Sequence, residues 1–129
     1  MSRCTSILVV EDNCDTRELL VYVLTSAGFV VDQASNGAEA LRKLKNKPEP
    51  TLVFLDMMMP VMNGWSFLKT SKSQNNIVIT MSAVDWSHFD EPQEFPTVRG
   101  RIQKPLYRED VIAIAQGFCD RTATLGLAL

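Results

Sequence analysis

Five short apolar runs punctuate the chain: Ile7–Val10, Phe29–Ala34, Leu52–Leu55, Ile77–Met81 and Val98–Gln103. A run that is apolar at every position predicts a strand buried on both faces, as in a parallel sheet. Four of the five stop at a polar or charged residue: Glu11, Asp56, Ser82 and Lys104. Helix-like segments lie between them. Residues 15–27 carry Leu19, Leu20, Val23 and Leu24 at the spacing of one helix face, and Gly28 follows where a left-handed cap is cheapest. Residues 38–46 repeat the pattern with Ala40, Leu41 and Leu44, capped by Ser35 or Asn36 and stopped by Pro48 and Pro50. Asn63-Gly64 marks a turn before a short helix over 65–72. Val111, Ile112, Ile114, Ala115 and Phe118 define a last helix over 109–121. Between Ser82 and Val98, Pro92 and Pro96 exclude a long helix. A short one near Trp86–Asp90 and an irregular path are expected there.

Strands alternating with helices predict an α/β, doubly wound sheet of five parallel strands with helices on both faces. Ligands of such sheets bind outside the carboxyl ends of the strands. That rule gathers Glu11, Asp12, Asp56, Ser82 and Lys104 into one place.

Length and composition add limits. A chain of 129 residues suits one domain, and no output domain is expected beyond a core of about residues 6–121. Thirteen basic against fifteen acidic residues give a formal charge of −2, and no Lys/Arg run supplies a nucleic-acid face. The basic residues of RKLKNK (Arg42, Lys43, Lys45, Lys47) read as a solvated helix face. No apolar stretch is long enough to span a membrane, and the first residues do not make a signal peptide. The three cysteines, Cys4, Cys14 and Cys119, are sparse and odd in number, so reduced thiols and a cytoplasmic location are expected. Cys14 reads as a small, half-buried residue opening a helix, with reactivity beside the acidic cluster as the alternative.

Three carboxylates at neighbouring strand ends repel one another unless a cation joins them. Mg²⁺ answers that need: it takes oxygen ligands, keeps several waters and often joins a phosphate. Asp56, alone after its strand, is the candidate nucleophile, and its attack on phosphorus would give an acyl phosphate. Lys104 offers a compact charge and Ser82 a hydroxyl to the transferred oxygens.

These residues carry a resemblance. VVED at 9–12, FLDMMMPVMNG at 54–64, TMSA at 80–83 and QKP at 103–105 resemble a response-regulator receiver domain of two-component signalling. The resemblance spans nearly the whole chain and implies a flavodoxin-like fold with strand order 2-1-3-4-5. It implies Asp56 as acceptor of a phosphoryl group from a histidine kinase or phosphotransfer protein. It also implies Glu11 and Asp12 as the metal-binding acidic pair, with the backbone carbonyl of Met58 as a further ligand. Ser82 and Lys104 match the pair that respond to phosphorylation. A downstream protein partner follows, without nucleic acid or membrane.

Two departures stand out. The family usually has an aromatic three residues before the lysine, and here that position is Arg101. Arg101 reads either as the solvated face of an edge strand or as a charged replacement for the ring. Tyr107 could substitute for that ring, or pack at the start of the last helix. The proline-rich 83–97 stretch is remodelled as well. Met57, Met58, Met59 and Met62 read as core or loop cover, with Met58 alternatively a shield over the phosphoryl group. Trp65 and Trp86 read as packing anchors and His88 as a surface residue. A haloacid-dehalogenase-like phosphatase would need a second aspartate at position 58, which is Met. A phosphorylation-independent binding module is the other alternative.

Overall fold

The computed structural model describes residues 6–45, 51–58, 64–71, 76–83 and 98–124. The strands are β1 (Ser6–Val10), β2 (Val30–Ala34), β3 (Thr51–Asp56), β4 (Asn76–Ser82) and β5 (Val98–Gln103). The helices are α1 (Cys14–Ser26), α2 (Gly37–Lys45), α3 (Gly64–Ser71) and α4 (Arg108–Thr124). All strand pairs are parallel and the sheet order is β2-β1-β3-β4-β5, as expected.

The pleat explains why β1 and β3 are apolar throughout. Leu8, Val10, Val53 and Leu55 face one core with Ala40 and Leu44 of α2 and Phe67 and Leu68 of α3. Ile7, Val9, Leu52 and Phe54 face the other, with Leu20 and Leu24 of α1 and Val111, Ala115 and Phe118 of α4. Successive side chains thus enter opposite layers, and the sheet is covered on both sides.

Local chemistry sets the element ends. Asn13 caps α1, its Oδ1 accepting from the Thr16 N–H at 2.9 Å. Asn36 caps α2 in the same way, accepting from the Glu39 N–H at 2.9 Å. The Glu39 carboxylate reaches back to accept from the Ser35 N–H at 2.7 Å. At the end of α1, Gly28 takes φ +100°. The Phe29 N–H then bonds to the Leu24 carbonyl at 3.1 Å and the Gly28 N–H to that of Thr25 at 3.0 Å. This is the glycine-terminated cap that lets the chain reverse, and Phe29 and Leu24 share a core behind it. Phe29 therefore closes the helix rather than opening β2, which starts one residue later.

Four sequence expectations are corrected. Leu19 is 59% exposed; only Leu20, Val23 and Leu24 of the expected stripe are buried. Tyr107 is 60% exposed and does not pack at the start of α4. Lys43 is not merely solvated: its Nζ lies 3.0 Å from Asp32 and 3.6 Å from Glu39, clamping α2 to β2. Cys14 opens α1 as expected but is exposed rather than half-buried.

On β5 the register steps from Val78↔Val98 to Ile79↔Gly100, so Arg99 is an extra residue in a bulge. A Cβ at Gly100 would stand 3.1 Å from Ile79 Cδ1, tighter than ordinary contact. Arg99, Arg101 and Gln103 are exposed, the solvated face of an edge strand. The expected helix near Trp86–Asp90 lies outside the described residues, as do Cys4, Lys47, Met59, Met62 and His88 and the side chains of Trp65 and Cys119. Among the described residues, no helix is long and apolar enough to cross a membrane.

Candidate functional site

The carboxyl ends of β1, β3, β4 and β5 converge. After β1 the chain makes a short acidic turn. Glu11 continues the strand, its N–H bonded to the Ala34 carbonyl at 3.1 Å, and its side chain turns inward to 1% exposure. Asp12 points to solvent, and Asn13 leaves the turn to cap α1. The Asn13 N–H also donates to Glu11 Oε2 at 3.2 Å. Three consecutive polar residues thus do three jobs: buried acid, exposed acid and helix cap.

Asp56 ends β3 and is 3% exposed. Its Oδ1 accepts from the Met58 N–H at 3.1 Å, which turns the backbone at Met58 toward the carboxylate. In register it lies opposite Met81, and the Met57 N–H reaches the Met81 carbonyl at 3.1 Å. Ser82 follows on β4, fully buried, and its carbonyl accepts from the Lys104 N–H at 2.7 Å. That bond holds the start of the Lys104-Pro105 segment, joined by a cis peptide, against the end of β4. Lys104 Nζ then stands 3.0 Å from Glu11 Oε1 and 3.9 Å from Asp56 Oδ1. The sequence reading brought Lys104 to Asp56; the structure gives it Glu11 as the nearer partner.

Glu11, Asp12 and Asp56 each offer a carboxylate oxygen within 4.8 Å of the others. Among the described residues, Lys104 is the cation ion-paired with these carboxylates, so the acids outnumber it. Burial pushes the Asp56 carboxyl up to about 7. The Met58 N–H and Lys104 oppose that rise, and the Glu11 carboxylate beside it adds to it. A divalent ion removes the conflict. Hard oxygen donors suit Mg²⁺. The three oxygens lie within 4.8 Å of one another, and the exposed Asp12 leaves the site open to water. The donor set fits.

The remaining candidates divide. Met57 is 1% exposed and belongs to the core, whereas Met58 is 62% exposed, which gives little support to a shield over Asp56. Its thioether carries no proton for acid catalysis, as a phosphatase would need at that position. The Cys14 thiol donates to Glu18 Oε2 at 3.3 Å, and that bond raises its pKa, so proximity to the acidic turn does not activate it. Two residues escaped the sequence reading. Asn13 was legible in principle, as a capping residue directly before a helical pattern. Arg17 was not, because it occupies an ordinary polar position of α1 and its partners come from other elements.

The comparisons agree with this geometry. The model of the response regulator receiver domain matches residues 7–116. A CpxR homologue of Haemophilus influenzae, described as a transcriptional regulatory protein, is 40% identical over 77 residues, 60% of this chain and 33% of that protein. The Escherichia coli transcriptional regulatory protein CusR is 42% identical over 69 residues, 54% of this chain and 30% of its own length. The chain spans about a third of the curated relatives it matches. A CheY-like receiver domain protein from Methanospirillum hungatei superposes with TM-score 0.79 at 26% identity, covering 95% of this chain and 99% of the other. The response regulator TrrA of Thermotoga maritima, solved with Mg²⁺ and BeF, gives TM-score 0.75 at 27% identity over 88% and 98% of the two chains. Fold, site and matches define a two-component signalling receiver. The chain belongs to the response regulator receiver domain family.

Proposed function

We propose that Asp56 is the phosphoacceptor of this receiver and that its donor is a phosphohistidine of a histidine kinase or phosphotransfer protein. An Asp56 carboxylate oxygen attacks phosphorus, the P–N bond to the donor imidazole breaks, and an acyl phosphate forms while the imidazole takes up a proton. The Glu11, Asp12 and Asp56 carboxylates, with the Met58 carbonyl, would hold Mg²⁺. When bound, the ion neutralises charge on the transferred oxygens. Lys104, already 3.9 Å from Asp56 Oδ1, would follow the new charge away from Glu11. Ser82 would supply a hydroxyl donor at the end of β4. The domain turns over no external metabolite; its phosphorylated state changes contacts with a downstream protein in the cytoplasm, without nucleic acid or membrane.

The observation that carries this reading is the buried Asp56 carboxylate, shared between two further acids and one lysine. The test is intact-mass measurement after incubation with Mg²⁺ and acetyl phosphate. Wild type should gain one phosphoryl adduct and Asp56→Asn none. No adduct on wild type with acetyl phosphate or with any kinase would remove the reading.

One observation favours a phosphorylation-independent binding module on the same fold: exposed Arg101 stands opposite Thr80 where an aromatic is usual. Equal partner binding by wild type, Asp56→Asn and Asp56→Glu would select it.

A further inference from the structure

Glu11 is gripped at all four of its polar atoms. Its N–H donates to Ala34, Oε1 accepts from Lys104 and Oε2 from the Asn13 N–H. Its carbonyl oxygen accepts from Arg17 Nη1 at 3.0 Å. Arg17 lies on α1, one turn beyond the acidic pair, and its side chain reaches back over the turn. Its Nε donates to Gln33 Oε1 of β2 at 3.0 Å. Two bonds diverging from one planar guanidinium fix its plane as well as its position. The backbone of Gln33 is itself held, because its main-chain carbonyl accepts from Lys43 Nζ of α2.

The Glu11 carbonyl belongs to the peptide plane that leads into Asp12. That plane is rigid, so its oxygen and the Asp12 Cα move together. Glu11 is immobilised by burial and Asp56 by its strand. Asp12 is the exposed member of the acidic trio, and its place depends on the turn. We propose that Arg17 is a positioning residue for the divalent-cation site: by holding the Glu11 carbonyl against the Gln33 brace, it sets where the Asp12 carboxylate stands. This rests on the phosphoacceptor reading of the site, which makes those acids metal ligands. Arg17 touches neither the ion nor the phosphoryl group, so its contribution is an affinity effect.

The test compares wild type, Arg17→Ala, Arg17→Lys and Gln33→Ala in the full chain. Thr51→Ala, which loses a buried hydrogen bond to Ser6 at the opposite, amino-terminal end of the strands, controls for lost stability. Calorimetric titration gives the Kd for Mg²⁺, and acetyl phosphate labelling across Mg²⁺ concentrations gives the rate. Arg17→Ala should weaken Mg²⁺ about tenfold, the size of effect seen when outer-shell partners of metal ligands are removed. Arg17→Lys should recover part of it, since an ammonium reaches one acceptor but not both. Gln33→Ala should weaken binding less than Arg17→Ala. Labelling by Arg17→Ala should fall at low Mg²⁺ and return to the wild-type rate at saturation. Thr51→Ala should melt lower with its Mg²⁺ affinity intact. A folded Arg17→Ala with Kd within about twofold of wild type would overturn the proposal. If Arg17→Ala does not fold, an unchanged Kd in Gln33→Ala overturns it. Wild type that neither binds Mg²⁺ nor labels would instead sink the phosphoacceptor reading, and this inference with it.

Discussion

At the scale of single residues the site is a crowd of like charges held in place by the fold. An unfolded chain releases the Asp56 proton near pH 4, whereas burial in the folded protein delays release to about 7. The folded form therefore binds the proton more tightly. That contribution to stability is complete below about pH 4 and is lost as pH rises towards about 7. In EDTA the melting temperature should fall between pH 5 and 8 for wild type, and this fall should be smaller in Asp56→Asn. Mg²⁺ should raise the melting temperature more at pH 8 than at pH 5.5, because ligands must be deprotonated to bind it. Equal shifts at both values would mean that Asp56 does not couple proton and metal. Lys104 supports the opposite expectation. Removing it in Lys104→Met strands Glu11, 1% exposed, without its cation. Urea unfolding at pH 7 without metal should show a loss of about 1–3 kcal/mol, the cost of leaving the buried Oε1 without its donor while Oε2 keeps the Asn13 N–H. Asp56→Asn, which removes a repulsive charge instead, should gain stability under the same conditions. Two neighbouring changes with opposite signs are the signature of a site built for a ligand.

At the scale of elements the caps carry the local specificity. Gly28→Ala forces a Cβ into φ +100°, and Asn36→Ala removes the bond to the Glu39 N–H. Each should cost about 1 kcal/mol, read as a lower urea midpoint at unchanged slope. The helix ends were legible because their chemistry is local: Gly28 and Asn36 announce themselves in the sequence. The fate of Leu19 was not. Periodicity placed it beside Leu20, but the buried stripe is narrower than the apolar one, and only packing decides which side faces the sheet. Lys43 hid in a basic run for the same reason, since Asp32 is eleven residues away in sequence. The bulge at Arg99 has no local signature either; it appears only when β5 is laid beside β4. Strand ends did announce the site, because a buried apolar run that stops at a carboxylate has little structural excuse. What joins those ends, the Arg17–Gln33 brace and the preference of Lys104 for Glu11, depends on pairings between distant elements.

At the scale of the whole molecule the parallel sheet has two polar ends of different kinds. The carboxyl ends hold the charged site. At the amino ends a neutral row crosses three strands: Thr51 and Asn76 are paired in register, and Ser6 shares a hydrogen bond of 3.0 Å with Thr51. Asn76 is 6% exposed, and among the described residues neither its Oδ1 nor its Nδ2 has a partner. A buried amide without hydrogen bonds costs stability, and the cost is recovered when the polar atoms are removed rather than orphaned. Valine suits the site, being β-branched and only slightly larger. Asn76→Val should therefore stabilise the protein by about 1 kcal/mol and raise the melting temperature by about 3–5 °C. It lies at the far end of β4 from Ser82, so Mg²⁺ affinity and acetyl phosphate labelling should match wild type. A lower melting temperature would show that the amide has a partner after all. Altered labelling would show that the two ends of β4 communicate.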